Sequence, residues 1–134
     1  MIEQKIAHLT FIQGVINRMG QNSFLLKGWS ITIVAALFAL AAQGANTKFV
    51  LVAYFPAFMF WLLDAFFLHQ ERLFRRLYEK VANNDIPSDI YTLNTNLVKR
   101  EVDGYCSVAL SKTLVLFHGC IIAVLLFAMF GILS

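Results

Sequence analysis

Trp-Leu-Leu-Asp-Ala-Phe-Phe-Leu-His-Gln-Glu-Arg-Leu-Phe-Arg-Arg-Leu-Tyr-Glu-Lys, residues 61–80, begins as hydrocarbon and ends as a charged amphipathic segment. It contains no Gly or Pro, so its pattern predicts one continuous helix that leaves an apolar layer near His69. Asp64 precedes the exit. Arg72, Arg75, Arg76 and Lys80 follow it, opposite an apolar face of Leu73, Phe74, Leu77, Tyr78 and Val81.

The whole chain fits that reading. It has 134 residues, of which 59% are hydrophobic and only 14% charged, against about 25% charged in soluble domains. Its mean hydropathy is +0.67. This predicts an all-α integral membrane protein with three transmembrane helices. An N-terminal amphipathic helix and a cytoplasmic helical extension of the second span complete it. The expected organisation is an amphipathic helix over 1–22, an antiparallel transmembrane hairpin over 23–69, a cytoplasmic connection over 70–107 and a third transmembrane helix over 108–134.

In the first segment Ile2, Ile6, Leu9, Ile12, Ile16 and Met19 recur at spacings of three and four among polar residues, which is amphipathic periodicity. It reads as a helix lying on the membrane or the cytoplasmic hairpin, or as a partner-binding helix. It does not read as a signal peptide, because its polar length precedes the apolar run. The first span follows over 24–42, with Lys27 and Trp29 suited to the interface. Gly28, Thr32, Ala36 and Ala39 make a small-residue stripe along it, of the kind that permits close helix contact in lipid. Residues 43–48 read as a tight turn.

The second span is expected over Phe49–Leu68, kinked or weakened at Pro56. Residues 83–88 should break the helix. Residues 89–103 carry weak periodicity that leans helical, and Gly104 marks a bend. The third span is expected from about Val108 to Leu133, with Lys112 at its entrance and His118 inside.

Ten of the eleven Lys and Arg residues fall on the N-terminal segment or around the 69–112 connection, and only Lys48 lies in the turn. The positive-inside rule then puts the N-terminus in the cytoplasm and Ser134 outside a bacterial inner membrane.

Asp64 is the most informative residue, because a carboxylate in a span is usually paired or functional. Counted from the middle of the turn at 45.5, Lys27 and Asp64 each lie 18.5 residues away, so they reach equal depth. Asp64 therefore pairs with Lys27, forms a polar gate or ion site, or reaches interfacial water. His118 shares a face with Ser107 and Ser111 at spacings of four and seven. It reads as an interhelical hydrogen bond or a proton-linked switch, and both Asp64 and His118 should face inward. Lys27, Asp64, Ser111 and His118 are thus the intramembrane polar or gating candidates. Arg72, Arg75, Arg76 and Lys80 are the candidate cytoplasmic site for lipid headgroups, an acidic partner protein or an anionic signal. Nucleic-acid readout is not expected, since no aromatic platform accompanies the charge.

Cys106 and Cys120 are too few for a disulfide framework and are expected to be reduced. Three scattered histidines and two thiols make no metal set. No phosphate-binding Gly loop, nucleophile elbow or HExxH occurs, so no catalytic residue, metal or cofactor is assigned and an enzyme is not expected.

Asn-Ser-Phe-Leu-Leu-Lys-Gly-Trp (22–29), residues 61–78 and Tyr-Thr-Leu-Asn-Thr-Asn (91–96) resemble small bacterial membrane proteins. The layout of a leading helix, a two-helix hairpin and a long basic helix resembles the SLATT membrane effectors of defence and nucleotide-signalling islands. The resemblance covers about residues 1–82, and the third span departs from the two-span pattern. It implies an effector that oligomerises and permeabilises the inner membrane when triggered. Three helices cannot enclose an aqueous channel, so a pore requires a homo-oligomer. The other class of function is a non-conducting anchor that recruits a cytosolic partner through residues 1–22 and 70–104.

Overall fold

The computed structural model describes residues 2–42 and 48–133. Its helices are α1 (Ile2–Ala42), α2 (Phe49–Val52), α3 (Tyr54–Ala82), α4 (Tyr105–Ala109) and α5 (Lys112–Leu133). Two single 3₁₀ turns, Thr95–Leu97 and Lys99–Glu101, lie between α3 and α4.

The expected boundary between an amphipathic helix and a first span does not exist. Residues 2–42 form one helix of 41 residues, about 60 Å long at 1.5 Å per residue. A change from amphipathic to apolar composition alters what a helix faces without breaking its hydrogen bonds. The predicted turn at 43–48 falls, apart from Lys48, outside the described residues.

The second predicted span is interrupted. α2 ends at Val52, and α3 starts after Ala53. Pro56 is the third residue of α3 and cannot donate to the carbonyl of Val52, so the ladder fails one turn before the proline. From there α3 runs unbroken through the whole 61–80 segment.

α3 ends in a Schellman arrangement. The Asp85 N–H reaches the Lys80 carbonyl at 2.9 Å and the Asn84 N–H reaches that of Val81 at 3.1 Å. Asn84 has φ 65°, a left-handed position that Asn tolerates. The weak helical periodicity over 89–103 yields only the two 3₁₀ turns. The third predicted span is also divided, because α4 stops at Ala109 and α5 begins at Lys112. This separates Ser107, which is exposed, from Ser111 and His118.

Two apolar cores result. In the polar half, Ile12 and Ile16 of α1 meet Leu73, Leu77 and Val81 of α3 and Val98 of the connection, with Leu9, Phe74, Tyr78, Ile86 and Val102 around them. Full burial of one such side chain stabilises by about 1.5–3 kcal/mol. In the apolar half, Val34, Ala53, Ala57 and Leu125 form the second core. The small alanines of α2–α3 let neighbouring backbones approach. The stripe of Gly28, Thr32, Ala36 and Ala39 does not pack inside the chain, because all four residues are exposed.

Among the described residues two helices are long and apolar enough to cross a membrane: Ile2–Leu40, with mean hydropathy 1.8 in its most apolar stretch, and Lys112–Phe130, with 2.5. In each only 17% of that stretch is buried within the chain, whereas the core helix of a soluble protein is mostly covered.

Candidate functional site: a polar cluster where three helices meet

Between the two cores, one turn of α1, one of α3 and one of α5 bring polar side chains together. Ser23 and Lys27 lie four residues apart on α1, Asp64 lies on α3 and His118 on α5. Asp64 is fully buried. Its Oδ2 accepts from Lys27 Nζ at 2.6 Å and from His118 Nε2 at 2.8 Å, while its Oδ1 accepts from the Ser23 hydroxyl. Lys27 Nζ also donates to Ser23 Oγ at 2.9 Å.

The chemistry of this arrangement is constrained. An ionised carboxylate only accepts, so His118 carries its proton on Nε2. The Lys27 and Asp64 charges cancel, and each neutralises a partner whose isolated burial would cost several kcal/mol. The cluster thus joins three helices through one acceptor.

Aromatic rings hold His118 in place. Trp61 lies flat against it, with centroids 5.7 Å apart and planes at 10°, and Phe117 meets it edge-on at 5.0 Å. The Trp61 indole donates to the Ala109 carbonyl at 2.9 Å, which ties α3 to the end of α4. The Tyr105 hydroxyl donates to the Leu62 carbonyl one turn further, and burial pushes its pKa up. Lys27 Nζ sits 5.7 Å from the Phe117 ring centre, within cation–π range.

Three of the four gating candidates, Lys27, Asp64 and His118, are therefore in one cluster. Ser111 is not: its Oγ is buried with no hydrogen-bond partner among the described residues, as are Ser30 Oγ and His118 Nδ1. Ser23 was not anticipated, although its place one turn before Lys27 marks the same face.

The basic residues of α3 do not form a free cationic patch. Arg75 pairs with Glu71 at 2.8 Å. Arg76 bridges Glu79 at 2.7 Å and Glu101 at 2.9 Å. Lys80 reaches Glu101 at 3.1 Å and Asp85 at 3.9 Å. The bonds to Glu101 and then Glu79 hold the Arg76 guanidinium above its ordinary pKa. Arg76 and then Lys80 hold the Glu101 carboxyl below its usual range. Of the four, only Arg72 has no acidic partner among the described residues. The contacts of Arg76 and Lys80 with Glu101 join the connection to α3.

A second buried polar contact was not anticipated. His8 of α1 is fully buried. Its Nε2 donates to the Thr92 carbonyl at 2.6 Å, and its Nδ1 is 2.9 Å from Ser88 Oγ. Ser88 thus ties the start of the connection to α1 through His8. The ring also meets Tyr91 edge-on. The spacing His8, Ile12, Ile16 carried the signal, since it puts His8 on the buried face.

Among the described residues no group of three or more potential metal ligands occurs. Cys106 and Cys120 are free and exposed. The chain matches no family model, no curated protein and no solved structure.

Proposed function

We propose that the chain is a small inner-membrane effector that permeabilises the membrane as a homo-oligomer under cytoplasmic control. In this reading the apolar half of α1, α2 with α3 to about Leu68, and α5 are three spans. The polar half, with ten of the eleven basic residues on its side, lies in the cytoplasm. The resemblance to SLATT effectors supports the same class.

One observation carries the reading. α1 and α3 run without interruption from the apolar core of Ile12, Leu73 and Leu77 in the polar half to the Lys27–Asp64–His118 cluster. A trigger that shifts the polar half therefore moves the cluster directly, with no flexible joint between. Rearrangement of Lys27, Asp64 and His118 between chains would supply the polar lining that one chain lacks.

The test is reconstitution in vesicles with crosslinking. The reading expects an oligomer that releases a small trapped ion, with release altered by Asp64→Asn. A monomer in tight vesicles would defeat it.

A second reading, a non-conducting anchor for a cytosolic partner, is favoured by the exposed apolar residues of the polar half, among them Ile2, Ile6, Ile90 and Leu97. Asp64→Asn separates the two, because an anchor keeps its partner with that substitution while a pore changes conductance.

A further inference from the structure

α1 packs chiefly on α3, and α5 packs on α3 and α2, so among the described residues α1 and α5 flank α3 and approach each other only sparsely. The space between them is a groove of about 770 Å³. Val34 and Phe38 of α1 and Leu116, Ile121 and Val124 of α5 line it, and Lys27 and Lys112 stand at one end. Lys112 is exposed and has no ionic partner among the described residues. Lys27 uses two of its three N–H groups, on Ser23 and Asp64, which leaves one.

From this geometry we infer that the groove is a binding site for one anionic glycerophospholipid. Its phosphate rests on Lys112 and the remaining N–H of Lys27, and one acyl chain lies along the groove. The inference rests on the membrane reading above.

Three features support this occupant. The wall is almost wholly apolar, while the cationic groups are confined to one end, where Lys112 brings an unneutralised positive charge and Lys27, balanced by Asp64, offers an N–H donor. From Lys27 to Phe38 the groove extends about 16 Å along α1, at 1.5 Å per residue, close to half of a hydrocarbon core about 30 Å thick. That is the reach of one leaflet, with both amines at headgroup depth on the cytoplasmic side, where anionic lipids attract basic residues. A second copy of this chain fits less well. Copies inserted alike run parallel, so the copy would bring its own basic end against Lys27 and Lys112.

The experiment is native mass spectrometry of the full chain released from nanodiscs with equal phosphatidylglycerol and phosphatidylcholine. The expected result is a retained phosphatidylglycerol adduct in preference to phosphatidylcholine. Lys112→Gln should lower that preference about fivefold, the usual attraction of one basic residue to an anionic surface. Ala35→Trp fills the groove from α1 and should abolish retention while helicity by circular dichroism stays unchanged. Equal retention of both lipids, or wild-type retention in both variants, overturns the proposal. So does efficient Cys120–Cys120 crosslinking of a Cys106→Ser chain in vesicles, which would seat a second copy there. A chain recovered in the soluble fraction would defeat the membrane reading itself, and the groove assignment with it. A membrane-embedded chain that keeps no lipid defeats the groove assignment alone.

Discussion

Lys27 and Asp64, 37 residues apart in the chain, are 2.6 Å apart in space. The Asp64 carboxylate is fully buried and the Lys27 amine about one-fifth exposed. This pair, with His118 on the same carboxylate oxygen, is the contact through which α1, α3 and α5 are held at one level.

Removing one member should cost more than removing both. Asp64→Ala leaves the Lys27 ammonium half-buried and unpaired, and a loss of about 3–5 kcal/mol is expected. Lys27→Met with Asp64→Leu should recover most of it. Unfolding in mild detergent titrated with dodecyl sulfate measures both. Equal losses in the single and double variants would show that the pair does not hold the helices.

His8 should secure the connection rather than the helix bundle. His8→Ala removes the partner of the Ser88 hydroxyl and the Thr92 carbonyl, both half-buried, and a loss of about 0.5–1.5 kcal/mol per hydrogen bond is expected. Hydrogen exchange should rise over 86–98 and stay unchanged over 112–130. A uniform rise would contradict a local role.

Glu101 gives the connection an acid-side pH dependence. Its folded pKa lies below the ordinary 4.5 because Arg76 and Lys80 bond its carboxylate. The stabilisation is therefore fully present above about 4.5 and lost as pH falls through the lower folded value. Protection of the Val98 and Glu101 amides, which bond the Thr95 and Val98 carbonyls, corrected for intrinsic exchange, should decline in that window. Glu101→Gln should flatten the decline, and so should high salt, because the pairs are exposed.

Trp61→Phe keeps a ring against His118 but loses the hydrogen bond to the Ala109 carbonyl. A loss of about 0.5–1.5 kcal/mol is expected, with looser exchange across 105–111. Retention of wild-type exchange there would mean that the indole N–H does not fasten α4.

The helix through 61–80 was legible because nothing in it can stop a helix and its two faces separate cleanly by 100° steps. The depth of Lys27 against Asp64 was legible because an antiparallel hairpin makes residue counting a measure of depth. The union of residues 2–22 with 24–42 was not, since a change of surroundings resembles a boundary in a hydropathy pattern. The exposed Gly28–Ala39 stripe and the buried Ala53, Ala57 and Ala65 show a similar limit. Small residues mark where close packing can occur, while the partner decides which helix uses it. Arg75 with Glu71 and Arg76 with Glu79 are pairs four and three residues apart that the helix itself brings together, whereas the contacts of Arg76 and Lys80 with Glu101 depend on the fold of the connection.

The most direct test of cytoplasmically controlled permeabilisation is the membrane potential of bacterial cells expressing the chain, beside cells expressing Asp64→Asn at equal membrane content. The account predicts depolarisation by the wild-type chain and a changed rate or extent with Asp64→Asn. An undisturbed potential at high membrane content, or depolarisation indifferent to Asp64, would contradict it.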